Sequence, residues 1–200
     1  MRAAISHLKK ADPKLRQVIE TVGPYRQQFG EPTFEYLARA IVYQQLNGTA
    51  AATIYGRFQT ACGRPGVVPQ RVLRVGEERL RAAGLSKQKL SYLLDLAERT
   101  KRRELVFEGL SELPDEAVIE ALTQVKGIGE WTAHMFLLFA LRRPDILPVG
   151  DYGIRAAMKK LYGLPELPKP DEMRRIGAPW RPWSSVASWY LWRSLDAKNP

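Results

Sequence analysis

Asp151 and the string Gly127-Ile128-Gly129 are the residues whose types and surroundings best suit chemistry in this chain. Asp151 stands in Leu147-Pro148-Val149-Gly150-Asp151-Tyr152-Gly153-Ile154-Arg155, just ahead of apolar residues at Ile154, Ala157, Met158 and Leu161. That spacing puts a carboxylate at a helix N-terminus, where free amides and the positive dipole end favour its anion against the pull of a dry pocket. A fixed anion of this kind stabilises developing positive charge and can orient an attacking water. The simpler alternative is a plain N-cap, a position aspartate also favours. The glycine string lies 22 residues earlier. Gly-x-Gly between two helices lets the backbone turn through conformations that side chains forbid, and it strips Cβ atoms from a surface meant for close approach. The second glycine opens a helix whose N–H groups can hold a phosphate; an ordinary tight helix–helix turn is the alternative. Four of the five tryptophans, Trp180, Trp183, Trp189 and Trp192, crowd the C-terminal segment, and the fifth is Trp131.

Helices must position these groups, and nearly every segment reads as one. Asp12-Pro13 pairs an N-cap with an N1 proline and opens a helix with Leu15, Val18, Ile19 and Val22 on one face, stopped by Gly23-Pro24. Thr33 caps the next, through Phe34, Leu37, Ala38, Ile41 and Val42; it breaks at Asn47-Gly48, and another runs from about 49 to 61. Pro69 begins a short helix, a further one ends at Gly84, and Ser86 caps a long one carrying Leu90, Leu93, Leu94 and Ala97. Pro114-Asp115 starts the helix with Val118, Ile119 and Leu122 that enters the glycine hairpin, and a strongly apolar helix leaves it from 130 to 141, with Ile128 anchoring the tip. After the Asp151 helix a proline-rich loop, 164–170, leads to a short helix over 171–176 and a Trp-rich helix over 184–195. Alternating apolar and polar runs are scarce, so the fold is predicted to be all-α. No low-complexity segment or internal repeat interrupts it.

Composition narrows the partners. The formal net charge of +10 points toward a polyanion such as nucleic acid, while 45% hydrophobic residues supply a core. Cys62 is the single cysteine, which excludes disulfide frameworks, multi-cysteine zinc sites and four-cysteine iron–sulfur clusters, and fits a cytoplasmic setting. The first residues lack the apolar stretch of a signal peptide, and no segment reads as a membrane span.

The whole string Leu122-Thr123-Gln124-Val125-Lys126-Gly127-Ile128-Gly129-Glu130-Trp131-Thr132-Ala133 resembles the helix-hairpin-helix motif of DNA glycosylases. The resemblance implies that amides of Gly127, Gly129 and Trp131, with Glu130 and Thr132 at the same helix start, grip a DNA phosphate. It also implies that the carbonyls of Thr123, Val125 and Ile128 hold a potassium or sodium ion, with no other cofactor required. Lys126 stands where the family usually has proline, which slightly loosens the turn, keeps its amides and adds a charge near the phosphate. Asp151 matches the position of the family's catalytic aspartate, whose charge would stabilise the sugar cation formed as an N-glycosidic bond breaks. Members that also cut the strand carry a Schiff-base lysine where this chain has Trp131. With no cluster cysteines either, the chain is similar to the 3-methyladenine DNA glycosylase II branch, whose Gly-Ile-Gly-x-Trp-Thr-Ala it shares.

The resemblance also implies a base pocket of Trp131, Met135, Tyr152 and Trp192, with Trp192 stacking on the flipped base. Met135 replaces an aromatic, which makes the pocket roomier, and Trp183 and Trp189 read as core. An alkylated base is cationic and electron-poor, so aromatic faces attract it and it leaves readily. Extruding it costs a few kcal/mol and vacates the stack. Tyr43-Gln44-Gln45-Leu46-Asn47-Gly48 resembles the segment whose aliphatic residue wedges into the duplex, with Leu46 as wedge and Gln45 facing the orphaned base; Leu46 as ordinary core is the open alternative. Gly84-Leu85-Ser86-Lys87-Gln88-Lys89 reads as a solvated basic helix start, with phosphate contact the alternative. The expected architecture is two helical subdomains, 34–145 and 1–33 plus 146–200, with the active-site cleft between them and Asp151 where they meet. The expected activity is that of a monomeric, monofunctional glycosylase acting on alkylated bases in double-stranded DNA, without membrane attachment and nucleoid-associated in a bacterium. A glycosylase for deaminated or mismatched bases, and a non-catalytic lesion binder, remain as alternatives; a scaffold would need neither Asp151 nor an aromatic pocket.

Overall fold

The computed structural model describes residues 1–64 and 66–196, and among these all regular structure is helical. In chain order the α-helices are α1 (Arg2–Ala11), α2 (Pro13–Val22), α3 (Phe34–Tyr43), α4 (Gly48–Cys62), α5 (Pro69–Val75), α6 (Glu77–Ala82), α7 (Lys87–Lys101), α8 (Asp115–Thr123), α9 (Glu130–Phe139), α10 (Tyr152–Tyr162), α11 (Pro170–Gly177) and α12 (Ser184–Asp196). The all-α expectation holds. No helix among the described residues is long and apolar enough to cross a membrane.

The chain divides into two compact units: Met1–Phe29 together with the chain from Arg142 onward, and Gly30–Leu141. In the second, α7 packs against α3, α5 and α6, while α8 and α9 form an antiparallel pair. Its core is mainly aliphatic with three buried phenylalanines, Phe34, Phe58 and Phe136, and Leu37, Ile41, Phe58, Leu93, Leu122 and Phe136 are each no more than 2% exposed. Thr33 and Ser86 cap their helices as expected, and Asn47, read as a break, also caps the helix that follows it. The Thr33, Asn47 and Ser86 side chains accept the Tyr36, Ala50 and Lys89 amides, each cap contributing about 1 kcal/mol. Cys62 is buried at the end of α4, and burial, with the nearby Glu35 charge, pushes its thiol up to about 11, which leaves it a poor nucleophile.

In the first unit, α12 packs against α10 and α2 around Leu8, Leu15, Ile19, Ile154, Met158, Trp180 and Leu191. Helix α1 was not foreseen, because the first cap signal in the sequence is Asp12. It forms because Ala4 and Leu8, four residues apart, bury the same face. Asp12 does more than cap α2. Its Oδ1 accepts the Lys14 and Leu15 amides, both at 3.0 Å, and its Oδ2 accepts the Trp180 indole N–H at 2.9 Å and the Tyr162 hydroxyl. Burial and then the Asp12 carboxylate raise the Tyr162 phenol pKa. Trp189 is core, as expected, and Trp183 packs partly buried against it.

The segment before Asp151 is laced to the start of α12. Asp145 accepts the Ser184 hydroxyl at 2.6 Å and amide at 3.3 Å on Oδ1, and the Arg181 Nε–H at 2.7 Å on Oδ2. The Ile146 amide donates to Ser185 Oγ at 2.9 Å. Burial raises the Asp145 carboxyl, but the Ser184 and Arg181 hydrogen bonds outweigh it and hold the pKa below the ordinary value.

Candidate active site

The predicted site residues are distributed over both units, and each set has its own geometry. In the unit formed by the two ends of the chain, Asp151 is the N-cap of α10. Its Oδ1 accepts the Ile154 amide at 2.8 Å, so the plain-cap role is real. The same oxygen accepts the Trp192 indole N–H at 2.8 Å, although Asp151 is only 8% exposed. An N-cap needs no second donor from another helix. This one restrains the carboxylate as well as satisfying it, as required of a group that must hold charge in a fixed place.

Gly153 makes the pairing possible. A Cβ there would lie 3.1 Å from Asp151 Oδ1 and 3.1 Å from Trp192 Cδ1, crowding the indole away from the carboxylate. Trp192 thus turns its N–H edge to Asp151, a contact that its expected stacking role did not include. Tyr152 is 71% exposed, the first residue of α10.

In the other unit the hairpin forms as expected. The Ile128 amide donates to the Val125 carbonyl at 3.1 Å, closing a turn with Lys126 and Gly127 at its centre. Ile128 is buried and anchors the tip. The two glycines serve different ends. Gly127 has φ +78°, and a Cβ there would fall 2.1–2.5 Å from the Tyr92 ring, so the fold itself demands glycine. Gly129 has φ −95°, which any residue adopts, and a Cβ would meet nothing within 4 Å. Nothing inside the protein requires glycine at 129. As the N-cap of α9 it also brings no side-chain acceptor to the first-turn amides, those of Glu130, Trp131 and Thr132. The Thr132 side chain is buried, so its part in any outside contact is through its amide. Val125 and Ile128 flank the turn and Thr123 ends α8, where helix carbonyls need partners.

A cavity of about 920 Å³ lies within this unit, bordered by Trp131, Met135, Tyr36, Tyr43, Gln45 and Leu46 among others. Trp131 is 48% exposed and Leu46 38% exposed, which removes Leu46 from the core. In the loop that carries it, between α3 and α4, Gln45 adopts the left-handed region with φ +55°. Two unforeseen bonds hold this loop. Gln44 Nε2 donates to the Gly127 carbonyl at 2.8 Å, and Lys89 Nζ donates to the Val42 carbonyl at 2.7 Å. Burial lowers the Lys89 pKa, so the solvated basic face expected at the α7 start is corrected at this residue: its ammonium caps the end of α3. Both bonds join residues at least 47 apart in sequence, and only the residue types hinted at them.

Residues 38–182 match the family model described as HhH-GPD superfamily base excision DNA repair protein. DNA-3-methyladenine glycosylase 1 of Schizosaccharomyces pombe is 34% identical over 94% of this chain and 85% of its own. A solved structure of the S. pombe 3-methyladenine DNA glycosylase in complex with abasic DNA superposes with a TM-score of 0.85 at 33% identity, covering 98% of this chain and 97% of that one. The structure of a DNA-3-methyladenine glycosidase from Bacillus halodurans gives 0.86 at 38% identity over 96% and 88%.

Proposed function

The chain belongs to the HhH-GPD superfamily of base excision DNA repair proteins, and on that footing we propose that it is a monofunctional DNA glycosylase hydrolysing the N-glycosidic bond of alkylated bases such as 3-methyladenine and 7-methylguanine. The observation that carries the reading is the Asp151 carboxylate held by the Ile154 amide and the Trp192 indole in a chain matching a 3-methyladenine glycosylase almost end to end. Asp151 stabilises the sugar cation as the base departs and orients the water that captures it; the glycosidic electron pair leaves with the base, water adds its hydroxyl to the sugar carbon, and its remaining proton passes to solvent from a cationic substrate or to the departing base from a neutral one. Trp131, Met135, Tyr152 and Trp192 receive the extruded base. The amides around Gly127 and Gly129 grip a backbone phosphate, and a potassium or sodium ion at the Thr123, Val125 and Ile128 carbonyls steadies the turn. The partner is double-stranded DNA, bound by a monomer wherever the cell keeps its DNA. Because Trp131 offers no amine, no Schiff base forms and the strand stays whole. The test is a panel of duplexes, each with one alkylated, deaminated or mismatched base, scored for free base. Release from the alkylated duplexes is expected, and release confined to deaminated or mismatched ones would move the specificity elsewhere.

Leu46 fills the gap left by the extruded base, which its exposure beside the cavity supports. Leu46→Ala is therefore expected to slow excision from duplex by about tenfold, the scale of a large side chain's lost burial. The loss from single-stranded substrate, which has no stack to hold open, should be much smaller. Equal losses on the two substrates would remove Leu46 from the wedge.

A further inference from the structure

We propose that Asp95 is a positioning residue for the hairpin, taking the place of the conformational lock that a proline at 126 would supply; the inference rests on the reading of the hairpin as a phosphate clamp. The turn Val125-Lys126-Gly127-Ile128 is closed by the 3.1 Å bond between its outer residues, and Gly127 has φ +78°. That is the pattern of a type II turn, in which the second position, here Lys126, favours proline because its ring fixes φ and no amide is needed there. Lys126 brings both a freer φ and an extra N–H. The structure gives that N–H a dedicated acceptor: it donates to Asp95 Oδ2 at 2.9 Å.

Asp95 is itself held. It lies in α7, 31 residues away, and Arg99 one turn on donates Nε–H to the same Oδ2 at 3.0 Å. Arg99 is fixed in turn by Glu104 at 3.4 Å. The Asp95 side chain is 16% exposed, less than Arg99 at 30% or Lys126 at 66%. A charge-assisted bond from an amide to a carboxylate so anchored is among the stronger hydrogen bonds available to a turn. The Arg99 guanidinium, with Lys126 Nζ at 3.9 Å from Oδ1, also offsets the charge that Asp95 would otherwise set near a DNA phosphate. The hairpin is thus tied to α7 by Asp95, and Tyr92 of the same helix packs on Gly127.

The test separates hydrogen bonding from charge and from general stability. Asp95→Leu removes the acceptor, Asp95→Asn keeps a carbonyl oxygen without the charge, and Lys126→Pro removes the amide. Two readouts are taken: affinity for an abasic-site duplex at fixed salt, and hydrogen exchange of the Ile128 amide in the free protein. Asp95→Leu is expected to weaken binding about tenfold, the order of one hydrogen bond to a charged group, and to speed exchange. Asp95→Asn, which keeps the acceptor but not the charge, should lose about threefold, clearly less than Asp95→Leu, and Asp95→Leu added to Lys126→Pro should cost less than about twofold more. Equal losses with and without Lys126→Pro, or losses in Asp95→Asn as large as in Asp95→Leu, overturn the proposal. Unchanged binding and exchange in Asp95→Leu overturn it too. Gly129→Ala, whose Cβ meets nothing within 4 Å inside the protein, tells the two failures apart: if it weakens binding, the clamp stands and only Asp95 is wrong, whereas unchanged binding in both variants removes the clamp itself.

Discussion

Asp151→Asn is expected to slow base excision by roughly a few hundredfold, the 3–4 kcal/mol typical of a lost transition-state-stabilising group, while the protein stays folded. The geometry lets asparagine keep both bonds described above. The Ile154 amide and the Trp192 indole N–H land on the same oxygen, Oδ1. Asparagine has one carbonyl oxygen and can present it to both, so the cap and the tie to α12 survive and stability should change by less than about 1 kcal/mol. The negative charge is lost. Binding to damaged duplex should persist or tighten, since a carboxylate beside phosphates is removed. The loss should be smaller for cationic 7-methylguanine, which departs readily, than for neutral hypoxanthine. Single-turnover excision, a gel-shift titration and a melting curve on one preparation measure all three. Excision near the wild-type rate would reduce Asp151 to a helix cap.

The same change at Asp12 is expected to do the opposite. Asp12 also heads a helix and also takes an indole N–H, but it uses both oxygens: Oδ1 for the Lys14 and Leu15 amides, Oδ2 for Trp180 and Tyr162. Asparagine can keep the cap only by turning its NH2 toward the indole N–H. The Tyr162 hydroxyl can reverse and accept, but the Trp180 N–H is left facing a donor inside the core, where Trp180 is fully buried. Stranding a buried donor that had bonded a charged acceptor costs about 2–4 kcal/mol. For a chain of this size that lowers the melting temperature by roughly 5–15 °C. Excision per folded molecule should hold at temperatures well below the transition. A variant that melts like wild type would mean that this polar cluster rearranges freely.

These two aspartates show how far sequence reasoning reached. Both were legible as N-caps, because the cap signal is local: an Asp ahead of apolar residues at helical spacing. The hairpin was legible for the same reason, its glycines and flanking helices lying within one short string. Local signals cannot say which distant side chain arrives, and that is where the reading stopped. The indole partners lie 168 residues from Asp12 and 41 from Asp151. Leu46 stayed ambiguous because its exposure depends on tertiary packing that no local signal reveals. Helix α1 escaped because it buries only Ala4 and Leu8 and has no side-chain cap. Lys126 looked like a weakening of the turn, and the acceptor that meets its amide lies on another helix.

The central claim, that the chain breaks an N-glycosidic bond and leaves the strand intact, is tested most directly with wild-type protein and a duplex holding one 7-methylguanine, with borohydride present in a parallel sample. The account predicts free 7-methylguanine, a strand that breaks only after alkali or heat, and no covalent protein–DNA adduct. Strand cleavage without alkali together with a borohydride-trapped adduct, or binding without any release of base, would contradict it.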